Sequence, residues 1–226
     1  MNLNGLGVAL TTPFDEFLKI DFLSLEKHII YLMDSHIDYI VLLGTTSESP
    51  TLLSPEKKEI LNFVHKIVNE RIPIVLGVGG NSTQSVISDI NSYDHSKFNS
   101  ILSVCPYYNL PRQDGLFNHF NEIAANSKSP IILYNVPSRT ACDLLPSSVK
   151  VLSDHQNIIG IKEAVDHEDR IKDLIKISIE NKNFKIYSGD DPSFLKMLRL
   201  GGDGVISVAA NIVPKFISEI CSLCLD

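Results

Sequence analysis

The stretch NIIGIKEAVD, Asn157–Asp166, joins a strand-length apolar run to a lysine and a glutamate. Apolar residues that show no alternation point to a strand buried on both faces, a condition met by parallel sheets and seldom needed by antiparallel meanders. Runs of this kind recur at Gly7–Thr11, Tyr39–Leu43, Ile72–Gly77, Ser100–Val104, Ile131–Tyr134, Ile158–Ile161, Lys185–Tyr187 and Gly204–Val208. Between them lie segments of helical spacing, such as Leu25, Ile29, Ile30 and Met33, or Ile60, Leu61, Val64 and Ile67. Ser24 and the pair Ser54-Pro55 are the expected starts of these helices. Strand and helix alternate throughout, so the spacing predicts an α/β fold, an eight-fold (β/α)8 TIM barrel. The main rival is a doubly wound sheet, for which GVGGN (Gly77–Asn81) is the only hint of a phosphate loop. It is not G-x-G-x-x-G and follows the third run rather than the first, so a tight turn is the better reading.

The chain has 226 residues, 44% of them hydrophobic and 21% charged, enough for one large core and a single domain over 1–226. A net charge of −7, with no clustering of Lys and Arg among aromatics, argues against nucleic acid as a partner. The longest apolar runs are far shorter than the roughly 18 residues of a membrane span. The first residues, MNLNGLGVALTTPFD, show no basic segment followed by an apolar one, and a cytoplasmic location is expected. Cys105, Cys142, Cys221 and Cys224 suggest no disulfide framework. The C-x-x-C of the last two reads as a helix face, and the histidines show no zinc spacing, so neither a metal nor a cofactor is expected.

In such a barrel the chemistry gathers where the strands end at their C-terminal side. There the chain places Thr11-Thr12-Pro13, Gly44-Thr45-Thr46-Ser47-Glu48, Pro106-Tyr107-Tyr108-Asn109, Tyr134 to Thr140, Lys162-Glu163 and Ser188-Gly189-Asp190-Asp191. Lys162 is either a solvated lysine at a strand terminus or a nucleophile. Desolvation favours the neutral amine of a group that ordinarily titrates at about 10.4, and that amine can form a Schiff base with a ketone. Tyr134, Tyr108 and Thr46 could carry protons, and Arg139 could grip a carboxylate through its forked donors. Each has a plainer alternative as a packing tyrosine or a surface ion pair. Glu48 and Glu163 are expected to have structural roles rather than to form an acid–base pair.

GTTSES (Gly44–Ser49), CPYYN (Cys105–Asn109), ILYNVPSRT (Ile132–Thr140), IIGIKEA (Ile158–Ala164), SGDD (Ser188–Asp191) and GGDGVISV (Gly201–Val208) together resemble the 4-hydroxy-tetrahydrodipicolinate synthase family. These enzymes, also called dihydrodipicolinate synthases, belong among the pyruvate-dependent class I aldolases with N-acetylneuraminate lyase. The resemblance runs the length of the chain. It implies a lyase that condenses pyruvate with L-aspartate 4-semialdehyde in the diaminopimelate route of lysine biosynthesis. Lys162 would form the Schiff base, and Thr46, Tyr134 and Tyr108 the proton relay, Tyr108 acting across a subunit contact in a homo-oligomer, dimer or tetramer. Thr45, Arg139, Gly189 and Ile206 would bind substrate. A sister aldolase, or a non-catalytic remnant, are the alternatives. Ser47 stands where the family has glycine, and a positive φ there would cost about 1 kcal/mol. Lysine feedback is expected to be weak, because Asn81–Ser85 carries no carboxylate. The chain is also expected to stop within its eighth helix, without the family's C-terminal helical region. Val213, Phe216, Ile217, Ile220 and Leu223 would pack that helix on the barrel, and the flank left bare would make the chain poorly soluble or low-melting.

Overall fold

The computed structural model describes residues 3–225; residues 1, 2 and 226 of the expected domain lie outside the described residues. The strands are β1 (Gly5–Ala9), β2 (Tyr39–Leu42), β3 (Ile74–Gly77), β4 (Ser100–Val104), β5 (Ile131–Asn135), β6 (Ile158–Glu163), β7 (Lys185–Ser188) and β8 (Gly204–Ser207). Each pairs in parallel with the next, and β8 returns to β1, with Gly5 opposite Gly204, to close the barrel. The helices that connect them include α1 (Phe22–Asp34), α2 (Ser54–Val68), α3 (Thr83–Asn91), α4 (Gln113–Asn126), α5 (Pro137–Thr140), α6 (Pro146–Leu152), α7 (Glu168–Glu180) and α8 (Phe194–Arg199). After β8 comes α9 (Pro214–Leu225), in which the described residues end. The chain is a TIM barrel. No helix among the described residues is long and apolar enough to cross a membrane.

Side chains alternate across each strand, so the apolar runs form two separate cores. Those facing outward join the helices in one large cluster, which includes Leu6, Val8, Ile40, Leu76, Ile101, Leu133 and Ile161. Those facing inward form a second, with Ala9, Tyr39, Val41, Val75, Leu102, Ile132, Tyr187 and Ile206. The interior is thus a packed layer, and Tyr39 and Tyr187 fill its lower part edge to face at 6.3 Å between ring centroids. Room for Tyr39 comes from Gly7, where a Cβ would lie 2.2 Å from the ring.

Several boundaries differ from those expected. β1 starts two residues early, because Gly5 can adopt φ 94°, and ends once the Leu10 amide has made its last bond to β2, at the Val41 carbonyl, the Thr11 amide donating instead to Asn211 Oδ1. β3 begins at Ile74 because Pro73 has no N–H to give the ladder. α1 is capped by Asp21, whose carboxylate accepts from the Ser24 amide at 3.0 Å, so Ser24 lies inside the helix. β6 runs past Ile161 to Glu163, since the ladder continues through Lys162 opposite Tyr187 and Glu163 opposite Ser188. GVGGN forms a close turn: a Cβ on Gly77 would lie 2.6 Å from the Leu43 carbonyl oxygen. On α9, Ile217 and Cys221 face inward, whereas Phe216 is 65% and Leu223 83% exposed. The helix is rotated so that Ser218 donates to the His36 carbonyl, which carries Phe216 and Leu223 off the inner face.

Candidate active site

A cavity of about 470 Å³ opens at the C-terminal ends of the strands and is lined by Thr45, Thr46, Tyr134, Arg139, Lys162, Gly189 and Asp191, among others. The barrel register assembles it. β5 and β6 set Tyr134 opposite Lys162, and both side chains enter the barrel mouth. Lys162 is buried, and its ammonium sits over the Tyr134 ring, 4.4 Å from the centroid. Gly189 permits the approach of the loop after β7, because a Cβ there would lie 2.9 Å from Lys162 Cε. Burial draws the lysine down to about 8, Arg139 acting in the same direction and Asp191 against it. A lysine so placed is neutral in about one molecule in ten at pH 7, far more than an exposed one.

Tyr134 is buried as well. Its burial pushes the phenol up, while Arg139 and a hydrogen bond from Thr45 pull it back. Thr45 and Thr46 both line the cavity with Tyr134. Both belong to a 3-10 turn, Thr45–Ser47. Ser47 closes that turn against β1 through reciprocal bonds: its buried hydroxyl donates to the Leu10 carbonyl at 2.5 Å, and the Thr12 hydroxyl donates to the Ser47 carbonyl at 2.9 Å. Ser47 does not take a positive φ, so no such cost arises there; the left-handed residue of this turn is the exposed Glu48, at φ 56°.

Arg139 stands on α5 at the mouth, exposed and free to meet an anion. Gly189 is on the wall, but Ile206 is buried in the interior layer beneath. It points inward from β8, two residues before Val208, which follows the strand and lines the cavity. Tyr108 is 89% exposed, with φ 78°, and it does not line the cavity of its own barrel. Exposed Leu110 lies close by in the same loop.

Glu163 takes no part in the cavity. It faces the helices, where its carboxylate accepts from Asn135 Nδ2 at 3.0 Å, Arg170 Nε at 2.7 Å and the Val165 amide at 2.9 Å. Burial raises this carboxyl, with Arg170 opposing. Arg170 also bridges to Asp143 and to the Leu144 carbonyl, so the segment after β5 is fastened to β6. Arg170 and Asp143 are not marked by any motif, and only the buried position of Glu163 in a strand hints at a cation near it. Cys221 is buried in α9 and its thiol is pushed up to about 12 by that burial, with Cys224 half-buried beyond it.

A second cavity, about 340 Å³, adjoins the first and is lined by Ser49, Lys57, Asp89, Tyr93 and Tyr107 among others. Asp89 is half-buried, and its carboxyl is raised by burial against the pull of Lys57 and Lys58.

A closed barrel with a desolvated lysine, a tyrosine and a threonine at its mouth defines a TIM-barrel enzyme working at the C-terminal face of its strands. The sequence matches the Dihydrodipicolinate synthetase family over residues 2–226, and the chain belongs to that family of lyases. It is 47% identical over 227 residues to the 4-hydroxy-tetrahydrodipicolinate synthase of Azobacteroides pseudotrichonymphae, covering 99% of this chain and 75% of the relative. It is 47% identical to that of Buchnera aphidicola subsp. Schizaphis graminum, covering 98% of this chain and 75% of the relative. Among solved structures, the dihydrodipicolinate synthase of Acinetobacter baumannii, complexed with pyruvate, superposes with a TM-score of 0.95 at 38% identity, covering 99% of this chain and 76% of that one.

Proposed function

We propose that this chain condenses pyruvate with L-aspartate 4-semialdehyde through an imine on Lys162, giving 4-hydroxy-tetrahydrodipicolinate for the diaminopimelate route to lysine. The observation that carries this reading is the buried Lys162 ammonium over the Tyr134 ring, inside one cavity with Arg139. The pyruvate held by the Acinetobacter baumannii relative supports the same ketone.

The neutral amine of Lys162 adds to the pyruvate ketone carbon, and loss of water leaves an iminium. That cation acts as an electron sink, so a proton leaves the methyl carbon and an enamine forms. The enamine carbon attacks the aldehyde, a carbon–carbon bond is made, and the new alkoxide takes up a proton. The amine of the second substrate then displaces Lys162 from the former ketone carbon, closing the ring and freeing the enzyme. Tyr134, with Thr45 and Thr46 in the same cavity, would pass these protons. Arg139 at the mouth holds the carboxylate of the aldehyde.

Tyr108, outside its own cavity, would serve the site of a neighbouring copy, and the exposed Tyr107–Leu110 loop is the surface for that contact. Lysine inhibition should be weak. The second cavity holds Lys57, a like charge to the inhibitor's ammonium, and Asp89 is already raised by burial.

Borohydride reduction with pyruvate, followed by intact and peptide mass measurement, tests the reading. The adduct is expected on Lys162 and absent from Lys162→Ala. Label on Lys172 or Lys176, or label retained by the variant, would overturn it.

A further inference from the structure

SGDD brings two acids to the rim that have no part in the chemistry above. Its second acid, Asp191, follows β7 and lines the Lys162 cavity. Asp191 Oδ2 accepts from the Val208 amide at 3.0 Å and the Ala209 amide at 2.9 Å, which fixes the carboxylate to the turn after β8. Asp191 Oδ1 is buried and has no hydrogen-bond partner among the described residues. A buried acceptor without a partner is costly and rare, and its retention calls for a use.

The charged and titratable groups that share the cavity with Lys162 come from three elements: Tyr134 on β5, Arg139 on α5, and Asp190 and Asp191 after β7. Asp190 Oδ2 is occupied by the amide and hydroxyl of Ser193. Glu163 is neutralised by Arg170 on the far side of β6. Asp191 is thus the wall carboxylate with an uncompensated buried oxygen, and no ion pair within 4 Å joins it to Lys162 among the described residues. A negative charge held by two amides cannot reorient when charge develops nearby, which is the condition for preorganised electrostatic stabilisation.

Resting on the imine reading above, we propose that Asp191 is a positioning residue, the fixed counter-charge for the cationic nitrogen of Lys162 in its iminium stages. It acts across the cavity rather than by contact. A direct ion pair would hold the lysine as an unreactive ammonium, whereas a set-back carboxylate favours the iminium and leaves the amine available. The opposing effects of burial and Asp191 on the lysine agree with this balance.

Asp191→Asn keeps an oxygen for both amides and removes the charge. Three quantities are read: the pH dependence of borohydride trapping at limiting pyruvate, kcat and Tm. Loss of the anion makes the free ammonium release its proton more readily, so the acid limb of trapping should move down by about one pH unit. Over the same substitution kcat should fall by about tenfold or more, because the iminium loses its counter-charge, while Tm stays close to that of the parent. Asp191→Ala, which also breaks the turn, should show the same limb with a lower Tm. If Asp191→Asn does not fold, Asp191→Ser, whose hydroxyl can accept from the same turn, is read in the same way. An unshifted limb in a folded variant, whatever its kcat, assigns Asp191 to structure alone and overturns the inference. A parent chain that never traps pyruvate overturns the imine reading and this inference together; a parent that traps, with an unshifted variant, overturns only this one.

Discussion

The ammonium of Lys162 lies over the face of Tyr134, 4.4 Å from the ring centroid, because the two residues are register partners on β5 and β6. An aromatic face offers a cation roughly 0.5–2 kcal/mol. That offsets only part of what burial takes from a charge, and burial draws the lysine down to about 8.

Lys162→Met should therefore abolish turnover and yet stabilise the fold. Unfolded, the amine binds its proton up to about pH 10.4; folded, it does so only up to about 8. Below pH 8 both states are protonated and the folded one bears the whole penalty, roughly 3 kcal/mol. Between the two values the unfolded state holds more protons, so parent stability rises with pH and the advantage of the variant shrinks. Denaturant titrations at pH 7 and pH 10 check this; an equal or lower midpoint for Lys162→Met at pH 7 would contradict it.

Thr45 and Thr46 should separate in kinetics. Thr45 helps to pull the Tyr134 phenol down, so Thr45→Val is expected to lower kcat about 100-fold with little change in KM for pyruvate. Thr46→Val should lower it by less than about tenfold. The reverse order would return the relay to Thr46.

Ser47→Gly should destabilise the chain by about 1–3 kcal/mol, since it leaves the Leu10 carbonyl without its buried donor. Were the serine strained, glycine would stabilise. Thermal melts of Ser47→Gly and Ser47→Ala give the sign directly.

Arg170→Met strands the buried Glu163 carboxylate and should cost about 3–5 kcal/mol at pH 7. Without Arg170 the carboxyl rises further, so the native state holds a proton that the unfolded state has released. Stability of the variant then falls as pH rises above the ordinary carboxylate range, and the deficit narrows in acid. Adding Glu163→Gln should recover part of the loss, as a double-mutant cycle would show.

The barrel was legible because its strands are apolar on both faces, a pattern that survives without knowledge of partners. Strand ends were less so: β1 shifted because Gly5 and Gly204 meet across the closure, a contact far apart in sequence. Lys162, Tyr134 and Arg139 could be placed at the mouth from their position after apolar runs. The choice between Thr45 and Thr46 depends on the phase of a single 3-10 turn, which neighbouring threonines do not reveal. Asp191 was visible as part of a motif, but its orphaned oxygen arises only when β8 brings Val208 and Ala209 to its side. The outward rotation of Phe216 and Leu223 likewise follows from the Ser218–His36 contact rather than from helical spacing.

The rings of Tyr39 and Tyr187, fully enclosed beneath the site, make the cavity a blind shaft. With no rear exit among the described residues, whatever reaches Lys162 first is walled in by whatever arrives second. The ketone must therefore descend before the aldehyde, and an aldehyde resting early at the mouth would act as a stopper. Arrival order is thus imposed by two phenol rings that never touch either reactant. Initial-rate patterns should show pyruvate binding as the obligatory first step, and excess aldehyde inhibiting in competition with it.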